Sequence, residues 1–122
     1  MRLSRRAELM HLTMNGRTLA IDNEGYLLDP ADWSEDLAEE IARREEVPLS
    51  EDRWAVVRFV REYFEFRQSV PEARYALKAM REQLGAEKAT RKYLYQLFPY
   101  GYGQQACKIA GMRKPLKLML DV

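Results

Sequence analysis

Residues 50–66 read SEDRWAVVRFVREYFEF, and this stretch does more than any other to decide the fold. Ser50 favours the N-cap position of a helix, and Glu51 and Asp52 follow in the first turn, where the helix dipole favours acidic side chains. Apolar side chains then recur at helical spacing: Trp54, Val57, Val60, Tyr63 and Phe64. The pattern predicts a long amphipathic helix at the centre of the core.

Further helices are predicted on both sides of this central helix, over about 34–46, 70–84, 90–98 and 104–110. Ser34 and Thr90 are placed to cap the first and third of them. Residues 69–72 (SVPE) fit a capping box with proline in the first turn of the second. Proline or glycine follows the predicted end of each helix, which is typical of helix termination.

The two ends of the chain lack a helical pattern. Two short apolar runs within residues 17–28 flank residues 22–25 (DNEG), which predicts a small β-hairpin. Residues 1–14 show no clean period, and we expect them to be mobile. Pro115 and the interspersed charges predict an arm over 112–122 rather than a helix.

The composition is that of an ordinary soluble globular protein, with 47% hydrophobic and 32% charged residues. A length of 122 residues suits one domain, spanning 1–122. No run of about 18 apolar residues occurs, so no membrane-spanning helix is expected. A single cysteine cannot form an internal disulfide, which favours a reducing compartment, and we expect the protein in the cytoplasm.

The net charge of +1 conceals an acidic and a basic end. Residues 22–53 contain twelve acidic and three basic side chains, a net charge of −9, whereas residues 87–122 contain seven basic and two acidic ones, a net charge of +5. Such charge runs are often only solvated surface. The alternative is that the basic end binds an acidic partner or a nucleic acid.

Few residues are suited to catalysis. His11, the only histidine, lies in the N-terminal segment that lacks a clear pattern, and one histidine and one cysteine cannot supply a zinc quartet. We therefore expect no Ser-His-Asp set, no metal and no cofactor. Cys107 remains. It is either a small buried hydrophobe or a reactive thiol near the start of a short, mobile helix, with a pKa lowered by three nearby cations: Lys108, Arg113 and Lys114.

The C-terminal third resembles a known family. Residues 92–99 (KYLYQLFP) and 105–115 (QACKIAGMRKP) are similar to the C-terminal signature of the DsrC/TusE family. These proteins are the gamma subunit of dissimilatory sulfite reductase and the related sulfur-relay proteins of tRNA thiolation. The resemblance covers about residues 17–115. It implies a mainly α fold: an orthogonal helical bundle with a small N-terminal β-hairpin, a helix-turn-helix-like element and a C-terminal arm.

The resemblance also implies what the arm does, and this chain departs from it. In the family, a penultimate cysteine on the arm carries sulfur as a persulfide, and many members have a second cysteine eleven positions earlier. Cys107 matches that upstream cysteine, and Leu118 stands at the carrier position. Leucine has no thiolate and cannot hold sulfur. The usual mechanism of the family therefore cannot run on Leu118.

Three functions follow as hypotheses, and independent catalysis is expected in none of them. The first is a protein that docks to a sulfite reductase-like or sulfurtransferase partner in a regulatory or sensing role. The second is a sulfur-relay carrier that uses Cys107 alone. The third is a DNA-binding regulator, in which Arg91 and Lys92 open the second helix of the helix-turn-helix-like element. Lys108, Arg113 and Lys114 are the other expected binding residues.

Overall fold

The computed structural model describes residues 10–115. Strands β1 (Met10–Met14) and β2 (Arg17–Ile21) pair in an antiparallel hairpin. Asn15 and Gly16 both have positive φ, 53° and 76°, as a two-residue hairpin turn requires. The predicted hairpin was therefore misplaced by one segment.

The predicted turn over 22–25 is present, but the segment after it is not a full strand. That segment contributes one isolated bridge, between Ile21 and Leu27, and the Asp22 carboxylate in the turn accepts from the backbone of Glu24 and Tyr26 at 2.9 Å. The expectation of mobility was wrong for Met10–Met14, which are paired along their length. Residues 1–9 lie outside the described part of the chain.

The first two helices confirm their predictions. Helix α1 (Glu35–Arg44) begins after Ser34, whose hydroxyl accepts from the backbone of Leu37. Helix α2 (Glu51–Arg67) is the long central helix, and Ser50 caps it in the same way. The buried side chains of α1 and α2 join one core: Leu37, Ala38, Ile41, Ala42, Val56, Val57 and Val60.

The next two helices form the predicted helical pair with shifted boundaries. Helix α3 (Ala73–Leu84) starts three residues later than expected, and a 3₁₀ turn (Ala86–Lys88) separates it from α4 (Arg91–Leu97). The predicted capping box was wrong, because Glu72 occupies the N-cap without a side-chain bond. Thr90 caps α4 as predicted. No helix within residues 10–115 is long and apolar enough to cross a membrane.

The largest difference from expectation lies in residues 101–112, here called the cysteine segment. Instead of a mobile joint and a short α-helix, Tyr102–Cys107 form a π-helix that continues as a helical turn. All of its residues except Gln104 are buried. Met112 was predicted to begin the arm, but it is fully buried with the cysteine segment. Residues 116–122 lie outside the described chain. The mainly α fold with an N-terminal hairpin is confirmed.

Candidate functional site

Cys107 lies at the end of the π-helix and is completely buried. Burial raises the pKa of its thiol to about 12, because a thiolate cannot be solvated in the core. The Tyr102 hydroxyl acts on the pKa of Cys107 in the opposite direction, and this effect is the smaller one. The Tyr102 hydroxyl donates its single proton to the carbonyl of Pro71 at 2.7 Å, so it offers the sulfur little help.

The three cations expected to activate Cys107 have other partners or positions. The ammonium of Lys108 pairs with Glu45 at 2.9 Å and lies 4.9 Å from the centre of the Tyr26 ring. Arg113 and Lys114 are exposed, and Lys114 pairs with Glu24 at 2.7 Å. Because Cys107 also ends its helix rather than opening it, the expectation of a lowered pKa was wrong.

Side chains from three parts of the scaffold hold the backbone of the cysteine segment. The Tyr26 hydroxyl donates to the carbonyl of Gly103 at 3.2 Å. The Trp33 indole N–H donates to the carbonyl of Ile109 at 2.9 Å. These donors satisfy backbone carbonyls that would be costly to bury without a hydrogen-bond partner.

Arg61 is the most connected of these donors. It is only 8% exposed, although it is a charged residue. Its guanidinium donates to the carbonyls of Ala110 (3.3 Å) and Pro30 (2.9 Å). It also lies 4.8 Å from the centre of the Trp33 ring, in cation–π geometry. One arginine thus joins α2, the loop before α1 and the end of the cysteine segment.

Sequence reasoning missed the roles of Tyr26, Trp33 and Arg61. A signal for Arg61 was present, because it follows Val57 by four positions and therefore lies on the apolar face of α2. A charged residue in an apolar stripe indicates a buried polar contact. Nothing in the local sequence indicates that the contact is with the carbonyl of Ala110, 49 residues away.

Gly111 closes the cysteine segment against Trp33. Its φ is +82°, a conformation that side chains with a β-carbon rarely adopt. A β-carbon placed there would lie 2.4 Å from Trp33 Cδ1 and 2.8 Å from Trp33 Cβ. Glycine is therefore required both by the backbone conformation and by the close approach of the indole.

The remaining predicted site residues are not gathered around Cys107. Arg91 and Lys92 are exposed in the first turn of α4, and Leu118 lies outside the described residues. Within residues 10–115, no group of three or more His, Cys, Asp and Glu side chains is arranged to bind a metal ion. The arrangement at Cys107 is thus a closed core site built around one thiol.

We expect alkaline conditions to reveal the buried thiol. Above about pH 9 the unfolded chain loses the Cys107 proton while the folded chain keeps it up to about pH 12, so the free energy of unfolding falls as the pH rises through this window. The slope is at most about 1.4 kcal/mol per pH unit for one proton. Urea denaturation at pH 8 and pH 10 measures the change.

The matched variant for this prediction is Cys107→Ser. Its stability should decline less between pH 8 and pH 10 than that of the wild type, by about 1 kcal/mol. Part of the decline remains, because burial also raises the pKa of Tyr26 and Tyr102. Equal declines in both proteins would show that the thiol is solvated in the folded state.

Comparison with known proteins agrees with this architecture. A family model described as DsrC like protein matches residues 13–119. Sulfurtransferase TusE of Pectobacterium atrosepticum is 47% identical over 106 residues, which cover 87% of this chain and 97% of that protein. Sulfurtransferase TusE of Salmonella typhimurium is 50% identical over 107 residues, with coverages of 87% and 97%.

Solved structures share the fold. The oxidized gamma-subunit of the dissimilatory sulfite reductase (DsrC) from Archaeoglobus fulgidus is 31% identical, with a TM-score of 0.81 and coverages of 88% of this chain and 97% of that one. The NMR structure of Allochromatium vinosum DsrC is 41% identical, with a TM-score of 0.77 and the same coverages. With nearly the whole chain matched in sequence and in fold, this protein belongs to the DsrC-like family.

Proposed function

We propose that this chain is a sulfur-relay protein that accepts a sulfane sulfur on Cys107 from a sulfur-metabolism partner. The observation that carries the proposal is that Cys107 is the only thiol in the sequence, in a family whose relatives include sulfurtransferases. Leu118 and Met119 cannot act as nucleophilic carriers. A reducing compartment such as the cytoplasm would keep this thiol free.

The transfer is a thiol–persulfide exchange. The Cys107 thiolate attacks the terminal sulfur of a donor persulfide, a new S–S bond forms on Cys107, and the donor's S–S bond breaks. The inner sulfur of the donor, which stays on the donor molecule, leaves as a thiolate and takes up the proton released by Cys107. No external oxidant or reductant is needed, because one thiol and one persulfide are present before and after the exchange.

Access to the thiol requires the cysteine segment to leave its closed position. In the closed state Cys107 has no exposed surface and a pKa of about 12, so attack on a donor is suppressed. Opening breaks the hydrogen bonds from Trp33 and Arg61 to the segment. A partner that binds the open state more tightly than the closed state shifts the equilibrium towards it.

The buried thiol also favours a second candidate, in which the protein binds its partner without turning over sulfur. A thiol with a pKa of about 12 and a leucine at the carrier position both fit a docking role in regulation or sensing. The names of the relatives give no support to that role. They give none to DNA binding either, and Leu94 and Leu97 of the short helix α4 are buried in the core.

Intact-mass spectrometry after incubation with a small-molecule persulfide tests the proposal. We expect a gain of about 32 Da on the wild type and none on Cys107→Ser. Trp33→Phe removes the N–H donor to Ile109 but keeps an aromatic ring, so this variant should gain the sulfur faster. We expect about a tenfold increase, which corresponds to about 1.4 kcal/mol of weakened closure.

Trp54→Phe is the matched control, because the Trp54 indole donates no hydrogen bond within residues 10–115. Replacing this indole should leave the rate of sulfur uptake unchanged. If neither the wild type nor Trp33→Phe gains mass while both remain folded, the carrier proposal is wrong. The docking candidate then stands. A gain that persists in Cys107→Ser would place the sulfur elsewhere and contradict both.

A further inference from the structure

One helix face adjoins the cysteine segment and carries an unusual set of exposed side chains. Arg91, Lys92, Tyr95 and Gln96 are all exposed on α4, on the side opposite the buried Leu94 and Leu97. Tyr100 follows α4 and is 73% exposed. These residues, Arg91, Lys92, Tyr95, Gln96 and Tyr100, are here called the α4 face.

The charge on the α4 face is unbalanced. No acidic residue occurs between Glu87 and Asp121 in the sequence. Within residues 10–115, neither Arg91 nor Lys92 has an ion-pair partner, whereas the nearby Lys88 pairs with Asp52 at 2.9 Å. Two adjacent cations without a counter-charge repel each other and remain available to an acidic group from outside.

Arg91 and Lys92 lie in the first turn of α4, where cations destabilise a helix. The first turns of α1 and α2 hold acidic residues, which the helix dipole favours there. The first turn of α4 holds Arg91 and Lys92 and no acid. Because the dipole disfavours cations at this end, local helix stability does not explain the pair.

The aromatic residues supply the rest of a binding surface. Tyr95 is 44% exposed and Tyr100 is 73% exposed. Tyrosine and arginine are enriched at protein interfaces and among the residues whose loss weakens binding most. A methyl group placed on Gly101, the first residue of the cysteine segment, would lie 3.9 Å from Tyr95 Cε1. A partner seated on Tyr95 would thus contact the start of the segment that buries Cys107.

We propose that the α4 face is a docking surface for an acidic segment of a partner protein. A short acidic segment can pair with Arg91 and Lys92 while facing few of the acidic residues in 22–53, which carry a net charge of −9. Asp52, which lies beside α4, is already bound by Lys88 and Tyr93. A long polyanion such as RNA extends past the face and meets that repulsion. This docking surface deepens the proposed function. It rests on that function in one respect only, namely that the partner is a sulfur-relay protein.

Fluorescence anisotropy of the full chain with a labelled twelve-residue peptide that alternates glutamate and leucine tests the docking surface. Arg91→Glu/Lys92→Glu should weaken binding by about tenfold or more, and Tyr100→Ala by several-fold without a change of charge. Lys78→Glu/Arg81→Glu on α3 is the matched control. It reverses the same number of exposed cations, and binding should change less than about threefold.

Folding and specificity are checked in the same experiment. The Arg91→Glu/Lys92→Glu protein should unfold at the wild-type temperature or above, since acids suit the first turn of α4. No binding by the wild type, equal losses in the two charge-reversed proteins, or tighter binding of single-stranded RNA of equal length would each overturn the proposal. No sulfur donor is present, so these outcomes are independent of the mass gain on Cys107.

Discussion

Gly111→Ala should lower the free energy of unfolding by about 3 kcal/mol. About 1 kcal/mol comes from forcing an alanine into the conformation at φ +82°, and the rest from overpacking against Trp33. The alanine β-carbon would meet Cδ1, Cβ and Cγ of the indole at 2.4–2.8 Å, and all three are inflexible parts of that side chain. Urea denaturation at pH 7 measures the loss.

Gly16→Ala separates the two contributions. Gly16 has a similar φ of +76°, but a β-carbon there meets nothing within 4 Å. This variant should lose only about 1 kcal/mol, which is the backbone contribution alone. If the two variants lose equal stability, the close packing of Trp33 on Gly111 does not exist in solution. In Gly111→Ala, the Cys107 thiol should also react faster with a thiol reagent, because the end of the cysteine segment is displaced.

Arg61→Met should lower the free energy of unfolding by about 2–4 kcal/mol. Methionine fills much of the space but leaves the carbonyl of Ala110 buried without a donor and the carbonyl of Pro30 with one fewer. Each unsatisfied buried group costs about 1–3 kcal/mol. The cation–π contact with Trp33 is lost as well. Thermal and urea denaturation measure the loss.

Arg58→Met is the control on the same helix. The Arg58 side chain is 50% exposed and pairs weakly with Glu35 at 3.7 Å, so its loss should cost less than about 1 kcal/mol. Reactivity of the Cys107 thiol adds a second measurement. It should rise in Arg61→Met and stay at the wild-type level in Arg58→Met. A stable Arg61→Met protein with an unreactive thiol would show that Arg61 does not hold the cysteine segment.

Local signals were sufficient to predict most of the helices. The hydroxyls of Ser34, Ser50 and Thr90 cap helices because an N-cap depends on residues within three positions. The hairpin was misplaced because the Asn15-Gly16 turn lay in a segment without a clear apolar period, beside a second turn that contains glycine. The π-helix was not predictable, because its residues form hydrogen bonds with distant parts of the chain. The Tyr26 hydroxyl donates to the carbonyl of Gly103, and the Tyr102 hydroxyl donates to the carbonyl of Pro71.

The sequence predicted an accessible Cys107, whereas the structure buries this side chain completely. Glycine at 101 and 103 suggested mobility, whereas both glycines are buried in the cysteine segment. Lys108 suggested a cation beside the thiol, whereas its ammonium pairs with Glu45, 63 residues away. Burial and partner choice are set by packing between elements, and neighbours in sequence do not reveal them.

The burial of Cys107 has a consequence for every reagent that reaches this sulfur. When a thiol reacts only from a rare open state, each observed rate is scaled by the fraction of molecules in that state, and every 1.4 kcal/mol of opening free energy lowers the fraction about tenfold. Peroxide and alkylating agents are slowed by the same factor as a sulfur donor. In the proposed relay, the closed core slows random oxidation of the sulfur and favours partners that hold the segment open.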